Sequence, residues 1–264
     1  MRKLIPPHKR TVELTFEIFK LLPGQELLLE SYGDFAIMLT CICRKAGREC
    51  VKTGRAIRMM VRALLFILLG YLSGSVLYAK VWGKLLCGTD ITKGSTDGNP
   101  GTANAFIQGG FWCGVLTLFC ELLKGILPVY FYMRGMGPQA LSDGWIALVL
   151  AAPVLGHTFP LFQKHHGGKG IAVSFGSLLG LYPYWMPVLV FAFVFIFFSV
   201  VVCVEPHFYR TIAAYLATLA GLFVTNVIPA VRYGFGMITI LVCIRMKLST
   251  EERERMRIKL LWMH

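Results

Sequence analysis

Four consecutive residues, Gly167, Gly168, Lys169 and Gly170, join a backbone free to curl to a single ammonium group. Bare amide N–H groups around a lysine make a cradle for phosphate. The run is not a GxxxxGK[ST] nucleotide loop, because neither Ser nor Thr follows Lys169. Standing alone, such a run is a weak signal and describes a flexible turn at a helix end more often than a phosphate site. A second polar loop, residues 88–104, reads GTDITKGSTDGNPGTAN. It offers Lys93, Ser95, Gly98, Asn99, Gly101 and Asn104, a set of cationic, hydroxyl and amide donors between glycines, with Pro100 stiffening the turn. Asn and Ser in such a loop serve as turn formers as well as ligands. Asp97 would repel a phosphate, so it is expected to face a lysine or to accept the loop's own amides.

Lys124 lies inside the apolar run LTLFCELLKGILPVYF. An ammonium at the centre of a membrane helix costs at least ~2.5 kcal/mol, so it needs a reason to be there. Glu121, three residues earlier, shares its helix face and can pair with it. Two readings stand: a structural ion pair, or a cation that holds an anion in a polar cavity. His157 opens a His-Thr-Phe-Pro turn, either as a hydrogen-bonded anchor or as a proton acceptor. His165 and His166 flank the glycine run as titratable neighbours.

The elements that must position these groups are membrane helices. The chain has 264 residues, is 56% hydrophobic and has a mean hydropathy of +0.62. A crossing takes ~20 apolar residues. Hydropathy predicts helices at about 62–82, 110–133, 144–162, 185–204, 208–228 and 231–247, with a shorter apolar piece at 171–182. The expectation is an all-α polytopic integral membrane protein of about seven transmembrane helices, one of them short, with glycine-rich cytoplasmic loops. Gly70 with Gly74, and Gly176 with Gly180, have the spacing of close helix packing.

With seven spans, residues 83–109, residues 163–170 and the tail share one face. Lys80, Lys84, Lys93, Lys164, Lys169 and the tail cations Arg245, Lys247, Arg253, Arg255, Arg257 and Lys259 lie there, against Arg134 and Arg232 opposite. That asymmetry puts both glycine loops in the cytoplasm. Residues 1–60, with eleven Lys or Arg, run against it and have no signal-peptide pattern. They are expected to be a basic extension ahead of a membrane domain at 61–247 and a charged tail at 248–264. Met59 and Met60 offer a downstream start, and the amphipathic run Val12 to Leu22 could otherwise lie on a membrane surface. The net charge of +13 gathers at membrane edges, which points to anionic lipid and anionic substrates and away from nucleic acid. Eight scattered cysteines without a CxxC pair give no disulfide framework or zinc site.

The two loops together resemble those of the bacterial membrane glycerol-3-phosphate acyltransferases that use acyl-phosphate as donor. The matching residues are Gly94, Ser95, Gly98, Asn99, Gly101 and Asn104, then Gly156, His157, Phe159, Pro160, Phe162 and Gly167 to Gly170. The first motif is split near Thr96 and Asp97, and Glu121 stands where the family has Asp before the lysine. The resemblance implies seven spans, a phosphate role for Lys124, and acyl transfer to the sn-1 hydroxyl of glycerol-3-phosphate, giving lysophosphatidic acid for phospholipid synthesis. It implies His157, Lys124 and Ser95 as catalytic groups. Gly167, Gly168, Lys169, Gly170, Lys93, Gly98, Asn99, Gly101 and Asn104 would bind substrate phosphate. An acyl phosphate is already activated, so no cofactor, metal or nucleophilic serine is expected; positioning and electrostatics suffice. The family's Arg-His-x-x-Asn tail motif is not found, although Arg245 is retained, and Thr92 stands where the family has arginine. Two other readings remain: a small membrane transporter using Glu121 and Lys124 as a relay, or a non-catalytic relative that binds lipid precursors.

Overall fold

The computed structural model describes residues 53–95, 98–137, 139–142, 144–161, 167–249 and 256–258. Contacts divide the chain between Ile57 and Arg58, and the unit Arg58–His264 carries the fold. Val12 to Leu22, Asp97, Phe162, Lys164, His165 and His166 lie outside the described residues.

The expected helices form, with instructive differences at their ends. Helix α1 covers 53–74 and α2 is Tyr78–Cys87. The single helix expected at 62–82 is therefore broken at 75–77. The Ser75 hydroxyl donates to Tyr71 O (2.8 Å) and accepts from Leu161 N (3.3 Å), which satisfies part of the opened backbone. Helix α3, Thr102–Met136, begins eight residues before the expected span and kinks at Gly110, whose φ of 76° is left-handed. Then come α4 (Trp145–Thr158), α5 (Ile171–Leu179), α6 (Met186–Ile196), α7 (His207–Val224) and α8 (Pro229–Leu248). A π-helical turn, Phe197–Val201, extends α6. Among the described residues the sheet content is one antiparallel pair, β1 (Val204–Glu205) with β2 (Arg257–Ile258). The all-α expectation holds.

Glycines let the helices meet backbone to backbone, as small residues do in membrane helix pairs. A methyl group on Gly74 would sit 2.1 Å from Pro153 O, and one on Gly156 2.1 Å from Tyr71 O, so α1 and α4 cross in direct contact. The same holds for α3 and α5, where Gly176 would meet Leu122 O at 2.3 Å and Gly125 would meet Val173 O at 2.6 Å. Aromatic rings fill the space around α5 to α8: Phe175 stacks on Phe191 (4.2 Å between centroids), and Tyr215 on Phe235 (5.6 Å). The outer surface is apolar, with Leu64, Leu65, Leu68, Phe193 and Ile240 exposed. Among the described residues three helical stretches, Thr53–Cys87, Thr102–Met136 and Pro229–Leu248, are long and apolar enough to cross a membrane; Trp145–Thr158 and Met186–Val201 are shorter apolar helices.

Candidate functional site

The first turns of three helices open onto one cavity of about 490 Å³. Gly101 to Asn104 bring the start of α3, Gly170 to Ala172 the start of α5, and His207 with Arg210 the start of α7. Each helix N-terminus presents unpaired N–H groups and the positive end of a dipole. Three of them around one space, with Lys169 and Arg210 on the lining, make a strongly anion-seeking site. Leu118, Phe175 and Phe195 give the cavity an apolar wall.

The glycine turn is shaped by close approach. The Gly168 amide donates to His157 O (3.0 Å), and a methyl group on Gly168 would fall 2.1 Å from His157 Nε2. Gly170 caps α5 with φ 83°, a conformation costly for any other residue. Its carbonyl accepts from the Ser174 hydroxyl (2.8 Å), which in turn accepts from Tyr215 OH (2.9 Å). One buried chain of hydrogen bonds therefore ties the glycine turn to α7. Lys169 is 8% exposed.

Behind the cavity lies a buried charge cluster. Lys124 Nζ is 2.8 Å from Glu121 Oε2 and donates to Gly74 O (3.0 Å) and Val76 O (2.7 Å). These carbonyls are released by the break between α1 and α2, and the ammonium satisfies them. His157 Nδ1 lies 2.9 Å from Lys124 Nζ and 3.0 Å from Glu121 Oε2. His157 Nδ1 is thus within hydrogen-bond reach of both the ammonium and the carboxylate: one tautomer accepts there from Lys124, the other donates there to Glu121 Oε2, and in both Nε2 lies beside the glycine turn. Glu121 and His157 both line the cavity, and Glu121 Oε1 is buried without a hydrogen-bond partner.

Of the residues singled out from the sequence, His157, Lys169, Gly170, Asn99, Gly101 and Asn104 line this cavity. Lys124 sits behind it, its N–H groups engaged. Gly167 and Gly168 shape the turn against α4, where a methyl group on Gly167 would meet Thr158 O at 2.1 Å. Lys93, Ser95 and Gly98 are not part of the lining; Lys93 is exposed, and the Ser95 hydroxyl donates to Thr92 O (3.0 Å). Asn104 Nδ2 donates to Asn99 O (2.8 Å), so one asparagine fixes the loop that presents the other. Thr92 closes its own turn, with its hydroxyl (2.7 Å) and amide (3.0 Å) both donating to Asp90 Oδ1. Those two bonds, the hydroxyl first, hold the Asp90 carboxyl below its usual range. His207 and Arg210 escaped the sequence reading. The signal was available: if alternate connections share a face, the short turn before α7 belongs with the two glycine loops.

A family profile described as glycerol-3-phosphate acyltransferase matches residues 64–255. Glycerol-3-phosphate acyltransferases of Pseudomonas paraeruginosa (38% identical over 119 residues, 45% of this chain and 60% of the relative) and Cupriavidus taiwanensis (41% over 120 residues, 46% and 59%) are similar. That of Azotobacter vinelandii is 42% identical over 120 residues, 45% of this chain and 60% of the relative. The matches thus span about 60% of the length of these relatives. Among solved structures, the integral membrane glycerol 3-phosphate acyltransferase PlsY in its glycerol 3-phosphate form superposes with a TM-score of 0.60 at 28% identity, covering 70% of this chain and 88% of that one. Its lysophosphatidic acid form gives 0.58 at 28% identity, covering 69% and 87%. By its fold, its loops and a profile match over most of its length, this chain belongs to the glycerol-3-phosphate acyltransferase family.

Proposed function

We propose that the protein transfers an acyl group from an acyl phosphate to the sn-1 hydroxyl of glycerol-3-phosphate, giving lysophosphatidic acid, at the cytoplasmic face of the cell membrane. The carrying observation is the convergence of three helix N-termini, Lys169 and Arg210 on one cavity with an apolar wall. A cavity that is both anion-seeking and apolar on one side suits a phosphate-bearing amphiphile.

In this reading Lys169 and the turn ending at Gly170 cradle one phosphate, and Asn99 and Asn104 orient polar oxygens. Glu121 Oε1 accepts a hydrogen bond from a substrate hydroxyl. His157, taken in the tautomer protonated at Nε2, donates from that nitrogen to the acyl carbonyl oxygen as it gains charge. Lys124 acts as a positioning residue that fixes Glu121 and His157. The glycerol oxygen forms a new bond to the acyl carbon, the carbon–oxygen bond to phosphate breaks, and the hydroxyl proton leaves with inorganic phosphate. No acyl-enzyme is formed.

The test is acyl transfer from acyl phosphate to radiolabelled glycerol-3-phosphate in membranes containing the full chain. Lysophosphatidic acid should appear with one inorganic phosphate released per turnover. No product above control membranes, or an acyl group trapped on Ser95 or a cysteine, would overturn the reading.

A further inference from the structure

Arg210 is the cation on the cavity lining that the mechanism above leaves unused. It sits in the first turn of α7, half-buried. One guanidinium nitrogen, Nη2, lies 2.7 Å from His207 Nδ1. Nε is buried with no hydrogen-bond partner, and among the described residues no carboxylate pairs with the group. The Thr211 hydroxyl donates to His207 O (2.9 Å) and lies 3.3 Å from His207 Nε2. A hydroxyl has one hydrogen to give, so Nε2 carries the ring proton toward Thr211, and Nδ1 is left as the acceptor for Arg210. The neutral imidazole thus aims the guanidinium without cancelling its charge. The base of this turn is pinned as well: β2 pairs with Val204 and Glu205, directly ahead of the helix.

A guanidinium with a buried unmet donor, beside a dipole end and facing a cavity, is arranged for a planar or tetrahedral oxyanion. The one carboxylate on the lining, Glu121, is already matched by Lys124. Two phosphate groups would meet in the proposed reaction, and Lys169 on its glycine turn accounts for one. We propose that Arg210, oriented by His207, binds a second phosphate on the α7 wall of the cavity. This rests on the reading of the cavity as a two-phosphate site, and the binding arm below is independent of turnover.

The experiment uses the purified full chain in detergent. Thermal stabilisation is measured with inorganic phosphate, with glycerol-3-phosphate and with a non-hydrolysable acyl phosphonate, and KM and kcat are measured for both substrates. Arg210→Gln should raise the KM for one phosphate substrate by about tenfold or more and weaken stabilisation by that substrate or its analogue, with a smaller change in kcat. Whether glycerol-3-phosphate or the acyl phosphate responds identifies the phosphate bound. Arg210→Lys should recover part of the affinity, since charge returns without the paired geometry. His207→Ala should shift the same KM in the same direction by less. If the wild-type chain lacks turnover but loses phosphate-dependent stabilisation on Arg210→Gln, the acyl-transfer reading falls and the binding inference stands. Unchanged KM values and unchanged stabilisation in Arg210→Gln would overturn the inference. Should Arg210→Gln not fold, wild-type affinities in both Arg210→Lys and His207→Ala would do so.

Discussion

At the scale of single residues, Lys169 and Lys124 differ in where they stand relative to the cavity. Lys169 stands on the cavity lining in a glycine turn, so Lys169→Ala should lower kcat/KM by roughly tenfold or more, the value of a charge-assisted hydrogen bond. Lys247→Ala, at an exposed position in the last turn of α8, should leave it nearly unchanged; equal losses in the two would contradict the assignment. Lys124 is 2% exposed and bonded on every side. Removing it strands Glu121 as a buried charge, so Lys124→Met should cost about 3–5 kcal/mol of stability. Adding Glu121→Leu should recover part of that, and thermal unfolding in detergent checks the ordering. The sequence made Lys124 conspicuous, because an ion in an apolar run is an anomaly. Its partners were not legible beyond Glu121, since main-chain carbonyls leave no trace in residue identity. Asn99, Asn104 and Lys169, singled out through loop chemistry, lie on the cavity lining, whereas the Ser95 hydroxyl, singled out the same way, donates to Thr92 O and closes a turn off the lining.

Between elements, contact through glycine sets what can be changed. A side chain at position 176 would run into Leu122 O, so Gly176→Leu should force α5 from α3 and lower the thermal midpoint, as overpacking by even a methylene or two costs ~1–3 kcal/mol. Gly236 on α8 meets nothing closer than Leu219 at 3.9 Å, and Gly236→Ala should be neutral or raise the midpoint. A larger loss at Gly236 than at Gly176 would refute the packing account. Helix positions were readable from hydropathy to within a few residues for most elements. The exceptions are local: the backbone opens after Gly74, where a buried ammonium bonds the freed carbonyls, and Gly110 turns a corner inside what reads as one continuous pattern. The contribution of α7 was missed because neither His207 nor Arg210 belongs to a motif. Only the alternation of the helices, which puts the turn before α7 on the face of the glycine loops, points to them.

For the whole molecule, the arrangement of alternate helix starts around one cavity predicts a single chemical face. Single cysteines at Ser95 and at His166, in a background lacking the other accessible thiols, should react with impermeant reagent from the same side of sealed vesicles. Labelling from opposite sides would separate the two loops and dismantle the site. The family match begins at residue 64, and contacts divide the chain at Ile57 and Arg58. A chain starting at Met59 should therefore insert in the membrane and keep its acyl transfer activity. Loss of insertion in that chain, with the full-length protein competent, would count against it.

The break between α1 and α2 also bears on how the protein is made. A helix carrying Lys124 and Glu121 enters the bilayer with an unfavourable insertion energy. The carbonyls of Gly74 and Val76 that receive the ammonium are synthesised about fifty residues ahead of it, while His157 follows about thirty behind. The receptor for the charge is thus in place when the charge arrives at the translocon, and biogenesis can proceed in the order of translation. Nascent chains arrested after α3 should integrate that helix efficiently when α1 and α2 are native. They should integrate it poorly when those segments are replaced by an unbroken polyleucine span, as read by glycosylation mapping.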